Sequence, residues 1–262
     1  MSSLPKAGDF LGHPKGLFLL FGTEMWERFG YYGMRAILVL YLVALVQEGG
    51  FGWSNADALS LYGTFTMAVY ITPLFGGWLA DNVLGQRKAI ILGGLLMAAG
   101  HFTMGIPHSY LAGQEENVFY IGLTLLCVGN GLFKPNISTM VGDLYKEGDQ
   151  RRDGAFTIFY MGINLGAAAS ALIVGYVGEK IGWHYGFGLA GIGMALGQLV
   201  YVYGQKYLTH VGNLVEPDES TEAARPNLIL DIFKHTNSMI GFFVMVALAV
   251  VIFVGAGSWS YA

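Results

Sequence analysis

Six stretches of this 262-residue chain, at about 17–46, 56–80, 88–107, 118–145, 154–179 and 184–208, are long and apolar enough to span a bilayer, which takes roughly 20 apolar residues of helix. No other feature limits the fold so strongly. Backbone amides and carbonyls in hydrocarbon must be paired inside the segment itself, and for single runs of this length the helix does that. Composition agrees, since only 12% of the residues are charged and a water-soluble domain would carry about twice that share. Thirty-nine glycines without a collagen-like period suit helices whose backbones approach closely within a membrane. The fold class is therefore all-α, a polytopic membrane protein. A seventh apolar run, NSMIGFFVMVALAVVIFVG, follows the polar segment VEPDESTEAARPN. The organisation expected is a six-helix bundle over 1–210, a cytoplasmic linker over 211–235 and an additional transmembrane helix over 236–262.

Lys and Arg in short loops set orientation. Lys6, Lys15, the DNVLGQRK loop, the YKEGDQRRD loop and Lys206 are basic, whereas QEGGFGWSNAD and PHSYLAGQEEN hold neither Lys nor Arg, and Lys180 alone dissents. The N-terminus is thus expected on the cytoplasmic side, with six spans returning the chain there. The first fifteen residues are polar and the run after them is long enough to span, so no cleavable leader is expected. A net charge of -4 spread over loops argues against a nucleic-acid partner. One cysteine, Cys127, in an apolar run excludes an intrachain disulfide and reads as a core residue. Neither a nucleophile with a base partner nor metal-ligand spacing is found, so enzyme chemistry, a metal and a cofactor are not expected.

The first run, FGTEMWERFGYYGMRAILVLYL, carries Glu24, Glu27, Arg28 and Arg35. At about 100° per residue, Glu24, Arg28, Tyr31 and Arg35 fall along one stripe, with Glu27 at one edge and Tyr32 at the other. A charge at the centre of a span costs about 2.5 to 3.5 kcal/mol on insertion scales, so such a stripe must be paired or line a wet cavity. A structural Glu–Arg clamp and a functional site are both open on this helix alone. Counting 1.5 Å per residue, Glu27, Tyr70 of the second run, Lys134 of the fourth and Asn164 of the fifth all lie roughly 15 Å deep. Polar residues gathered at one depth point to a cavity near the membrane midplane. Lys134 calls for a carboxylate partner, with Glu24 and Glu27 nearest in depth. Pro135 follows it and is expected to bend the fourth helix. His101 and His108, at the far end of the third run, are expected to be structural or solvated.

Several of these stretches together resemble a known family. The pattern Glu-x-x-Glu-Arg-Phe-x-Tyr-Tyr, here Glu24, Glu27, Arg28, Phe29, Tyr31 and Tyr32, is similar to the first-helix motif of the proton-coupled oligopeptide transporters, a branch of the major facilitator superfamily. GGWLADNVLGQRK resembles the superfamily's loop motif, and GLFKPNISTMVGDLY and FYMGINLGA resemble two further peptide-transporter signatures. The resemblance covers about residues 10–210. It implies the N-terminal six-helix bundle of a major facilitator fold, with the seventh run an inserted helix or the start of a second half that lies beyond this sequence.

The resemblance also implies roles by position. Glu24, Glu27, Arg28 and Lys134 would take part in proton coupling. Tyr31, Tyr32, Arg35, Tyr70, Lys134 and Asn164 would line the peptide site, and Asp81, Gly85 and Arg87 of the loop motif would steady one state of the transport cycle. Some family members carry a histidine near the start of the second helix where this chain has Gly63, so coupling here would rest on carboxylates. The implied activity is import of di- and tripeptides with protons across the cytoplasmic membrane by alternating access, by a monomer whose partners are small peptides and the lipid bilayer. A transporter of another substrate, such as a drug, nitrate or a sugar, and a non-transporting membrane scaffold remain alternatives.

Overall fold

In the computed structural model residues 9–214 are described, and among them the chain is helical, with no strand beyond a single bridge between Phe10 and His13. Six helices follow the six apolar runs: α1 (Lys15–Val43), α2 (Asn55–Leu79), α3 (Gln86–Met104), α4 (Glu115–Asp143), α5 (Arg151–Lys180) and α6 (Trp183–Tyr203). The expected linker from residue 215 onward and the seventh apolar run lie outside the described residues.

Helix ends differ from the hydropathy limits by a few residues, for local reasons. α4 and α5 start earlier because their first turns are polar, and Glu115 and Glu116 at the start of α4 complement the partial positive charge of a helix N-terminus. α6 stops sooner, as Gly204 caps it with an N–H bond to the Val200 carbonyl. α2, α4, α5 and α6 are long and apolar enough to cross a membrane. α1 carries Glu24, Glu27, Arg28 and Arg35 along its length, and α3 is short and begins Gln86-Arg87-Lys88.

The helices pack in the series α2–α4–α3–α6–α1–α5, with α1 and α4 also touching across the middle and α5 leaning on α6. The result is a horseshoe whose free ends are α2 and α5. Glycines let its neighbours approach. A Cβ at Gly76 of α2 would run into the Gly131 backbone of α4, and one at Gly93 of α3 would lie 2.6 Å from the Gly129 carbonyl oxygen of α4.

Prolines sit inside both α2 (Pro73) and α4 (Pro135), and both helices run through them. Pro73 has no N–H for the Val69 carbonyl four residues earlier. That carbonyl instead accepts a bond from Asn130 Nδ2 of α4 at 3.2 Å. One turn on, Thr72 Oγ1 donates to the Cys127 carbonyl at 2.9 Å. Cys127 itself is fully buried, as expected of a core residue.

At the end of the bundle that carries the N-terminal segment, Arg151 bonds Asp9 at 2.9 Å, the Gly12 carbonyl at 3.0 Å and Asp149 at 2.8 Å, and His13 shares a 2.8 Å bond with the Tyr145 hydroxyl. The segment before α1 is thereby tied to the α4–α5 loop, and burial there pushes the Tyr145 phenol up to about 12.

Candidate functional site

Helical spacing puts Glu24 and Arg28 one turn apart on the inner face of α1, with Glu27 beside them. All three are buried, at 1%, 0% and 1% exposure. The Arg28 guanidinium grips Glu27 through two nitrogens, one of them Nη2 to Oε1 at 2.6 Å, and reaches Glu24 Oε1 at 3.2 Å. Such a fork binds more strongly than a single neutral hydrogen bond. α5 seals it from outside, since Gly166 lets the α5 backbone press against Met25 and the Arg28 Cβ. Glu24 Oε2 has no hydrogen-bond partner among the described residues.

Lys134 of α4 lies half-buried across the middle of the horseshoe. Among the described residues it makes no ion pair within 4.0 Å, yet it is close enough to feel the charges of Glu24, Glu27, Arg28 and Arg35. The carboxylates thus pair with the arginine of their own helix, and the lysine stands near them with its ammonium uncommitted. Three cationic groups face two carboxylates.

Further along α1, the half-buried Arg35 donates from Nε to the Tyr62 hydroxyl of α2 at 2.9 Å, and its Nη2 also bonds that oxygen. Its guanidinium also lies 5.2 Å from the Tyr62 ring centre and 5.9 Å from that of Tyr31. Arg28 makes the matching contacts to Tyr31 at 5.1 Å and Tyr32 at 5.8 Å. Tyr31 is buried and Tyr32 partly so. Aromatic faces in this position favour a guanidinium by their quadrupole.

Tyr70 is 71% exposed, and Asn164 is exposed as well. They belong to α2 and α5, the two free ends, so they flank the charged centre without touching it. The expected residues thus divide into a packed ionic and aromatic centre on α1 and α4, and two exposed groups on the flanking helices.

Tyr62 is the residue that the sequence reading missed. Its signal is the recurrence Tyr62, Thr66, Tyr70 at helical spacing, a polar stripe on an otherwise apolar helix. Thr66 Oγ1 is buried without a partner among the described residues. Gly63, next to Tyr62, has nothing within 4 Å of where a Cβ would stand.

The loop-motif residues are partly drawn together. A wide turn, Ala80–Leu84, closes with the Gly85 N–H on the Ala80 carbonyl at 2.8 Å, and Gly85 has φ 75°, a conformation that glycine adopts without strain. Arg87 ties this turn to the segment after α6, from Nε to Gln205 at 2.6 Å, from Nη1 to Asn213 at 3.2 Å, and from its N–H to the Gly212 carbonyl at 3.0 Å. Asp81 is exposed and makes no ion pair among the described residues. Of the histidines, His101 is fully buried, whereas His108 bonds the Tyr41 hydroxyl at 2.7 Å.

The family model described as POT family matches residues 87–254. An uncharacterized transporter of Bacillus subtilis (strain 168) is 47% identical over 206 residues, which is 79% of this chain and 40% of that protein. A di-/tripeptide transporter of Lactococcus lactis subsp. lactis is 41% identical over 239 residues, 90% of this chain and 47% of that protein. Among solved structures, the crystal structure of a peptide transporter POT in complex with sulfate superposes with a TM-score of 0.75 at 44% identity, covering 95% of this chain and 48% of that one. The chain spans about half the length of the relatives it matches.

Proposed function

The chain belongs to the POT family, a multi-pass membrane protein with transporter relatives, and from that premise we propose that it forms the first half of a proton-coupled symporter that brings di- and tripeptides across the cytoplasmic membrane. One observation carries the reading. Two buried carboxylates held by Arg28 stand beside a half-buried Lys134 with no ion-pair partner of its own among the described residues, on the concave side of a horseshoe flanked by exposed Tyr70 and Asn164.

In this reading the peptide's carboxylate is held by Arg35 as a planar fork and by Lys134 as a point charge. Tyr31, Tyr32, Tyr62 and Tyr70 supply ring faces and hydroxyls, which grip a peptide backbone while tolerating varied side chains. The second bundle supplies the opposite wall. Coupling follows from the charge that surrounds Lys134. When a Glu of the Glu24–Glu27 pair takes a proton, one negative charge beside the uncommitted Lys134 ammonium is lost, and the ammonium is balanced instead by the incoming carboxylate. An inward proton carries about 2.3 kcal/mol per 100 mV of membrane potential, enough for tens-fold accumulation. The N-terminus lies on the cytoplasmic side, with Asp81, Gly85 and Arg87 at the same end steadying one state of the cycle. The protein works as a monomer, and the proton is the coupling ion.

Uptake of a labelled dipeptide into proteoliposomes, competed with the same peptide amidated at its C-terminus, tests the site. The amidated peptide is expected to compete at least tenfold more weakly. Equal competition would remove Arg35 and Lys134 from carboxylate recognition.

A further inference from the structure

A cavity of about 340 Å³ lies between the start of α3 and the segment that follows α6. Arg87, Lys88, Gln205 and Asn213 form its polar wall and Leu84 and Ile91 an apolar one, and none of its lining residues is acidic. Arg87 is fixed there by its bonds to Gln205 and Asn213. Lys88 is exposed and makes no ion pair among the described residues.

The cavity's place in the fold limits what can enter it. α3 and α6 are neighbours in the middle of the helix series, while the free ends are α2 and α5. The α3–α6 seam is thus on the back of the horseshoe, away from the concave side that a second bundle would cover. α3 begins at the cavity and the segment leaving α6 forms its other side, so it sits where hydrocarbon gives way to headgroups. An occupant arriving there needs a negative head for Arg87 and Lys88 and an apolar body for Leu84 and Ile91. Basic pockets between helices at this level suit phospholipid phosphates.

We propose that this cavity is a binding site for the phosphate of an anionic phospholipid, which fastens the α2–α3 turn to the segment after α6 at the membrane surface. The proposal concerns the back of the bundle and is independent of what the concave side transports.

Native mass spectrometry of the detergent-purified protein tests it, with phosphatidylglycerol, phosphatidylcholine and inorganic phosphate as probes. Phosphatidylglycerol should be retained in preference to phosphatidylcholine. Lys88→Glu should lower that retention about fivefold or more, at about a factor of five for each charge lost near the surface. Lys88→Arg should restore it, and Lys180→Glu, an equal charge change at the opposite end of the bundle, should leave it unchanged. Equal retention of the two lipids, undiminished retention in Lys88→Glu, or an equal loss in Lys180→Glu would each overturn the site. Displacement of phosphatidylglycerol by inorganic phosphate at matched concentration would overturn the lipid assignment in favour of a free anion.

Discussion

Arg35 and Tyr62 show what a single residue decides here. The guanidinium takes the Tyr62 hydroxyl and ring together, which fixes the fork's plane; in the proposed transporter that plane is set for a peptide carboxylate. Tyr62→Phe keeps the ring and removes the acceptor. The lost hydrogen bond to a charged group contributes about 1.5–3 kcal/mol, so the thermal midpoint in detergent should fall, and in the proposed transporter the freed guanidinium should also lower peptide affinity severalfold; a lowered midpoint with unchanged affinity would make Tyr62 structural alone. At this scale the sequence was readable where charge met hydrocarbon. Glu24, Glu27, Arg28 and Lys134 announced themselves by their cost, whereas Tyr62 did not, because a tyrosine in a span is cheap and its partner stands 27 positions away. Nor did the sequence reveal that Arg28 would hold both carboxylates, since rotamers choose between partners at equal depth.

The α2–α4 pair carries the lesson for elements. Pro73 leaves the Val69 carbonyl without its helical donor, and Asn130 of α4 supplies one. Asn130→Leu should therefore destabilise the protein by about 1 kcal/mol, the usual worth of an interhelical hydrogen bond in a membrane, read as a lowered melting temperature or faster loss in harsh detergent. Gly76→Val should do more, by about 1–3 kcal/mol or beyond, because its side chain would enter the Gly131 backbone. A Gly76→Val variant as stable as the parent would contradict the close α2–α4 contact. Six helices were legible as apolar runs, and their ends less so, since the first turns of α4 and α5 are polar and capping is a local matter. Pro135 was legible as a proline inside α4, which runs through it, but the compensation at Pro73 was hidden, because it depends on a side chain from another helix.

For the whole molecule, the horseshoe order explains why the polar groups are arranged as they are. α1 and α4 meet across the middle and carry the charged centre, while α2 and α5 end the series and carry the exposed Tyr70 and Asn164. In the proposed transporter these groups line one wall of a cavity whose other wall a second bundle would supply. A common depth for Glu27, Tyr70, Lys134 and Asn164 is an expectation from counting along the sequence, whereas the order of the helices could not be counted, because hydropathy says nothing about which spans are neighbours. The central claim is that Lys134 couples the carboxylate pair to the peptide. The direct test is uptake of a labelled dialanine peptide into liposomes under an imposed inward proton gradient, comparing the full-length protein with Lys134→Ala and Glu27→Gln. Gradient-driven accumulation should be lost in both, with peptide exchange at equal pH partly kept in Glu27→Gln; undiminished accumulation in either variant would contradict the account.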